Sequence, residues 1–314
     1  MSKLVEKLVN TVIANLNNTS GIGLFNGKMG LTLFLYEYTR YSNNMVYGKI
    51  AEQLIDDIYR QVRSDLSPSM LDGIGGIGYG LIYLLNNQFI TGDSDDVLCD
   101  VDKYLLDNTR EILLREMVFP IPVYSSGLYL LSRLSLCRSV EKKQEWINST
   151  IDAGIFFILE CVRKKNFKPK LSLLYSMLFV FSKLPVDCTD CNENLVQLQK
   201  DLLLLSIDAV KTGSYQDIDI VLMKQYLNFQ RKGMFPKEYS YLESLLSSVN
   251  IKIDMIEEWN SYLSWYFLYG MEPFFDFSIV NLNRYIERKF ADYLYEMDTL
   301  NEQFSFLGLI LMRD

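Results

Sequence analysis

The chain has 314 residues, 49% of them apolar and 13% aromatic, more than one ordinary core requires, so either two domains or one architecture built from repeats is expected. Its 31 basic and 39 acidic residues give a formal net charge of −8, without the Lys/Arg stripe that nucleic-acid binding needs, so DNA and RNA are not expected partners. Five cysteines, of which only Cys188 and Cys191 are close together, make no disulfide framework and agree with a reducing cytoplasm.

The N-terminal stretch places Leu4, Val5, Leu8, Val9, Val12 and Leu16 on one helical face with Lys3, Glu6 and Lys7 opposite, the pattern of a docked amphipathic helix and not of a secretory signal. Next come GIGLFNGKMGLTLFLYEY (21–38) and, after an amphipathic stretch, SMLDGIGGIGYGLIYLL (69–85), with Gly73, Gly75, Gly76, Gly78 and Gly80 at the entrance of an apolar helical pattern. Glycine costs helix stability, so this many at a helix entrance imply close backbone approach or positive φ. The two stretches align, Asn26 to Leu33 against Asp72 to Tyr79, and therefore form a repeat. Gly73 to Gly92 carries no charge, but its six glycines and the Asn86-Asn87-Gln88 break argue against a membrane span.

Further along, apolar residues recur at helical spacing with a charged opposite face in Met45 to Arg63, Asp95 to Met117, Val140 to Lys164, Asn192 to Val210 and Phe277 to Glu296, as in outer helices. Between them lie nearly uncharged segments that must be enclosed by other helices: Met29 to Tyr38, Gly76 to Leu85, Tyr124 to Leu136, Leu171 to Phe181, Trp259 to Tyr269 and Phe304 to Met312. Taking Gly27, Gly73, Gly127 and Ser176 as equivalent gives steps of 46, 54 and 49 residues, and Ser305 follows 129 residues later. About seven helical hairpins fit this spacing, the fifth (Ile218 to Gln230) and sixth (Met255 to Tyr269) having lost their glycines. Strand signals are scarce, so the expected fold is all-α, one barrel of hairpins over residues 1–314, favoured over the alternative of an open solenoid because the N-terminal helix shows no polar capping face.

Gly73 to Gly78 matches G-x-G-x-x-G but follows no strand, and Gly23 to Lys28 is one residue short of a P-loop with Met29 where a magnesium-binding hydroxyl belongs. Cys188-Thr189-Asp190-Cys191 is a lone C-x-x-C, read as a loop, and Asp93-Ser94-Asp95-Asp96 is read as a helix cap and not a calcium loop. Phe34, Tyr36, Tyr79, Tyr83, Tyr124, Tyr129, Tyr175, Trp265 and Tyr269 are first of all core aromatics.

The pattern GIGLFNGKMGLTLFLYEY, its copy LDGIGGIGYGLIYLL and the degenerate VYSSGLYLLSRL resemble the lanthionine synthetase C-like family, as does the continuation from Gln88 to Leu98, which is similar to short bacterial members. The resemblance implies an α/α toroid of hairpins whose channel mouth is rimmed by the glycine loops. It also implies, for the family's enzymes, cyclisation of precursor peptides by adding a cysteine thiol to a dehydrated serine or threonine, with the thiol activated by zinc on two cysteines and a histidine. Here there is no histidine and no cysteine after Cys191, so those ligands have no counterparts and neither a metal nor another cofactor is expected.

Two functions follow. One is a zinc-free member that binds a precursor peptide or a partner protein of peptide modification, in the cytoplasm. The other is a carboxylate enzyme in the same kind of barrel, such as a glycoside hydrolase, with Asp72 and Glu37 or Glu272 as acid and base. For the first, the candidate rim comprises Asn26, Gly27, Lys28, Asp72, Gly73, Tyr79, Tyr124 and Ser126, where the N-terminal ends of inner helices would gather unpaired N–H groups and partial positive charge.

Overall fold

The structure, a computed structural model, describes residues 2–25, 27–63, 65–119, 123–164, 167–185, 189–230 and 235–251, together with Leu268, Tyr269, Ser305, Leu307 to Leu309, Leu311 and Met312. These residues are helical, with no strand among them beyond an isolated bridge between Ile22 and Gly27. In chain order they form α1 (Ser2–Ala14), a 3-10 turn (Leu16–Asn18), α2 (Lys28–Ser42), α3 (Met45–Gln61), α4 (Ile74–Asn86), α5 (Ser94–Val97), α6 (Cys99–Leu105), α7 (Thr109–Glu116) and α8 (Ser125–Arg133). There follow α9 (Val140–Arg163), α10 (Leu171–Lys183), α11 (Thr189–Thr212), α12 (Asp217–Gln230) and α13 (Pro236–Ser248). Contacts group them into two compact units, Met1–Gly92 with Met255–Asp314, and Asp93–Asp254.

In the first unit, α1 buries Val5, Leu8, Val9 and Val12 and leaves Lys3, Glu6 and Lys7 exposed, the amphipathic pattern read from its sequence. Helices α2 and α3 form a hairpin whose turn uses Asn43 at φ 54°, a left-handed conformation that asparagine tolerates, and Asn44, whose side chain accepts from the Val46 N–H. Helix α2 is buried along nearly its whole length, as an inner helix must be. Two neighbours approach it through glycine: a Cβ on Gly80 of α4 would lie 2.4 Å from Met29, and one on Gly308 would lie 2.2 Å from the Phe34 ring. The segment around Gly308 is helical and buried at Ser305, Leu307, Leu309 and Leu311, so the apolar pattern read over Phe304 to Met312 does mark an inner segment, and it packs on α2.

The second unit is layered. Helices α8, α10 and α12 pack side by side, and α7, α9, α11 and α13 form a second row against them. Tyr124, Tyr129, Tyr175, Leu174 and Met223 in the first row are fully buried. Charged residues concentrate on α9 and α11 of the second row, matching the alternation of enclosed and amphipathic helices expected from the sequence.

Two expectations need correction. Asp95 to Met117 is not one outer helix: it breaks at Leu98 and again between Leu106 and Asn108. At the second break the Asn108 amide donates to the carbonyls of Lys103 and Tyr104, a local hydrogen-bonding alternative to continued helix, while Leu98 and Leu106 turn into the core. The repeat register also shifts at the third copy. Gly127 is the third residue of α8, as Gly30 is of α2 and Gly76 of α4, so Tyr124 and not Gly127 corresponds to Gly27 and Gly73. Ser176 is the sixth residue of α10 and has a different task, accepting from the Tyr124 N–H at 2.9 Å. The segments expected at Trp259 to Phe267 and Phe277 to Glu296 lie outside the described residues.

Candidate functional site

The entrances of α2 and α4 are built by two loops that touch. The Phe25 N–H donates to Leu71 O at 2.8 Å, and a Cβ on Gly23 would lie 2.3 Å from the Asp72 Cα. A Cβ on Gly73 would lie 2.0 Å from Ser67 O and one on Gly76 would lie 2.4 Å from Met70 O. Gly27 (φ 169°) and Gly73 (φ −116°) have extended backbones, so it is close approach, and not positive φ, that demands glycine at Gly73.

These loops also use the donors that the rim was expected to offer. The Lys28 and Met29 N–H groups donate to Gly21 O (3.0 Å) and Gly23 O (3.2 Å). Those of Ile74 and Gly76 donate to Ser67 O (2.9 Å) and Ser69 O (3.3 Å). Four of the first-turn amides at these helix ends are thus taken by the chain's own carbonyls, and the picture of several converging unpaired amides is corrected to that extent. Lys28 is paired as well: its side chain is 13% exposed and its Nζ lies 3.5 Å from Asp57 Oδ2, while Asp57 also meets Arg60 at 3.0 Å. Asp72 is exposed and Tyr79 half-buried at this end of the unit. Asn26 lies outside the described residues.

Glu37 is far from Asp72. Its Oε1 accepts from the Tyr83 hydroxyl at 2.6 Å, and three residues further along α2 the Arg40 guanidinium donates to Asn87 O and stacks over Phe89 at 4.0 Å. Those contacts mark the C-terminal ends of α2 and α4, whereas Asp72 precedes the N-terminal end of α4. The eleven residues from Asp72 to Tyr83 correspond to a separation of roughly 15 Å along the helix, too far for an acid and base flanking one glycosidic bond. Glu272 lies outside the described residues.

Tyr124 and Ser126, the remaining rim candidates, belong to the second unit and are fully buried. The Tyr124 hydroxyl donates to Thr150 O at 3.3 Å, and burial drives its pKa far upward, so it is a core phenol. Beside it is a residue that the sequence reading missed. Glu116 is 0% exposed and both its oxygens accept from the Ser125 N–H, at 3.1 and 3.2 Å, closing the N-terminus of α8. Desolvation pushes its pKa up from 4.5 to about 8, only partly offset by the Ser125 hydrogen bonds.

Arg133 was also missed. It is 1% exposed, with Nε donating to Asp102 Oδ1 and Oδ2 (3.1 and 3.0 Å), Nη2 paired with Asp95, and its guanidinium 5.5 Å from the Trp146 ring centroid. The Tyr129 hydroxyl completes the cluster by donating to Asp102 at 2.6 Å. Arg133 holds the Asp95 carboxyl below the usual range, whereas desolvation outweighs Tyr129 and Arg133 at Asp102 and raises it. Nearby, Asp93 caps α5 by accepting from the Asp95 N–H, as read from the sequence. Arg133 is the one charge in the inner segment Tyr124 to Leu136, and that isolation is the signal that could have found it.

The donor set does not fit a zinc centre of the two-cysteine, one-histidine kind. The chain has no histidine, Cys99 is exposed, Cys137 is buried, and burial pushes the Cys161 thiol up to about 12, away from thiolate. Among the described residues no group of three metal-binding side chains comes together; Cys188 and the Cys191 side chain lie outside them. No helix among the described residues is long and apolar enough to cross a membrane. In comparison with known proteins, residues 1–132 match the family model described as lanthionine synthetase C-like protein. No curated protein and no solved structure matches.

Proposed function

We infer, for a chain that is a lanthionine synthetase C-like family member by its residues 1–132, a role in lanthipeptide-type maturation exercised by binding a peptide and not by zinc catalysis. The observation that carries the reading is the pairing of that match with a sequence that has no histidine to complete the family's metal site.

The binding surface is the glycine-loop end of the first unit, with Gly27, Lys28, Asp72, Gly73 and Tyr79. Because the Lys28, Met29, Ile74 and Gly76 amides are occupied, recognition there rests chiefly on side chains: the Asp72 carboxylate, the half-buried Tyr79 ring, and Lys28 if a ligand carboxylate displaces Asp57. The carboxylate-enzyme alternative loses support in its Glu37 form, since Glu37 lies toward the C-terminal end of α2 and Asp72 lies before the N-terminal end of α4.

The test uses a short precursor peptide encoded beside the gene, in unmodified and dehydrated forms. Calorimetry should give saturable binding that Lys28→Ala and Tyr79→Ala weaken with melting temperature nearly unchanged. The dehydrated peptide should keep its free thiols as long as in buffer, and the dialysed protein should carry no stoichiometric zinc. Accelerated thiol loss with one retained zinc per chain would overturn the reading, and binding untouched by both substitutions would remove the proposed surface.

A further inference from the structure

Glu116 ends α7 with its carboxyl group sealed from water, and its hydrogen-bond partner is the first residue of α8. An ionised carboxylate in such a place normally has a cation beside it or several donors around it. Among the described residues no ion pair includes Glu116, and the donors that face it are the backbone N–H and the side chain of one residue, Ser125.

The charged groups of the elements packed against it are turned away or engaged. On α7 itself, Glu111 and Arg115 are exposed. From α8 the Tyr124 phenol faces it, neutral and adding no compensating charge, and Arg133 is held by Asp95 and Asp102. On α9, Glu145 and Asp152 are exposed, and Glu160 is occupied by Arg163 and Lys164.

We propose that Glu116 is a proton-operated latch on the entrance of α8, sealing Tyr124, Ser125 and Ser126 while it carries a proton and loosening them once the carboxyl is ionised. The direction follows from linkage. The sealed state favours the proton and the opened, hydrated state favours the anion, so opening releases a proton. Below the ordinary carboxyl range both states are protonated and the entrance is tightest. As pH rises from about 4.5 toward about 8, the opening equilibrium grows by up to about tenfold per pH unit, and above that it levels because both states are ionised. The position matters because α8 opens with the third copy of the glycine motif, and Tyr124 and Ser126 reach solvent or a ligand only when that entrance is loose. The inference is independent of what the protein binds.

The experiment is amide hydrogen exchange on the full chain from pH 5 to 9, read at Tyr124 and Ser125 and corrected for intrinsic rates. Protection should fall with rising pH to near 8 and then level, while Glu116→Gln, which keeps the shape but cannot ionise, should give a flat profile. Ser125→Pro provides a second readout at Tyr124. Proline is tolerated at a first helical position and removes the amide that favours the anion, so the levelling point should move to higher pH. Wild-type protection that is constant across the range, a slope retained in Glu116→Gln, or a levelling point unmoved by Ser125→Pro would overturn the latch.

Discussion

Helix entrances in the two units are closed by opposite means. At α2 and α4 the loops fold back so tightly that their own carbonyls take the helix-end N–H groups, and the absence of side chains at Gly23, Gly73 and Gly76 makes this approach sterically possible. At α8 a buried carboxyl group, Glu116, takes the first N–H, and a serine hydroxyl on α10 takes the N–H before it. A carbonyl closes a helix end at any pH, whereas a carboxyl closes it in a way that depends on the proton. The glycine entrances are rigid geometric fittings; the third is a chemical one.

The largest effect is expected at Arg133, whose loss leaves Asp95 and Asp102 without their cation: Arg133→Met should destabilise the second unit by about 3–5 kcal/mol in denaturant unfolding. Arg133→Lys should recover only part of this, because a lysine lacks the fork that binds Asp102 through Nε and Asp95 through Nη2. Next comes Gly73→Ala in the first unit. Its Cβ would press on Ser67 O, a backbone atom with little room to give, and a cost of about 3 kcal/mol is expected, measured as a shift in denaturant midpoint at unchanged slope.

Glu116→Gln should leave stability nearly unchanged at pH 5. Wild-type stability should decline between about pH 4.5 and 8, by up to about 1.4 kcal/mol per unit, because the folded-state pKa is raised and the contribution present at low pH is lost as pH climbs through it. The variant should lack that decline, so the gap between the two curves should widen with pH. Should both curves fall in parallel, the pH-sensitive closure lies elsewhere. The smallest effect belongs to Lys28→Ala, which gives up a 3.5 Å pair with a partly exposed Asp57 and should cost no more than about 1 kcal/mol, dwindling further in high salt.

Much of the fold was legible because period and burial go together. The uncharged segments at Met29, Gly76, Tyr124 and Leu171 are the enclosed helices, and Ser139, Asn44 and Asp93 cap as their residue types suggest. What could not be read was which atoms meet across loops. The glycines at 73 and 76 announced close approach, but nothing in the local sequence says that the approaching atoms are carbonyls, of which Ser67 O and Ser69 O take the Ile74 and Gly76 amides. Glu116 escaped notice because a single glutamate in an amphipathic pattern looks like surface, and nothing local says that the Ser125 amide nine residues on will face it. The Asp95 to Met117 break was hidden for a related reason: its apolar spacing is compatible with one helix, and a single asparagine within it gives little warning that the Asn108 amide will take the Lys103 and Tyr104 carbonyls.

The contact between Gly308 and Phe34 bears on the order of events during synthesis. The second unit is one continuous stretch, Asp93–Asp254, and its parts have all left the ribosome before the Gly308 segment exists. The first unit is split, and the Phe34 ring waits for a neighbour encoded 274 residues further on. Until then one face of α2 lacks its cover, and joining it requires closure of a very long loop, the kind of late, non-local step that slows folding and exposes apolar surface to aggregation. The unit that begins first is therefore the unit that finishes last.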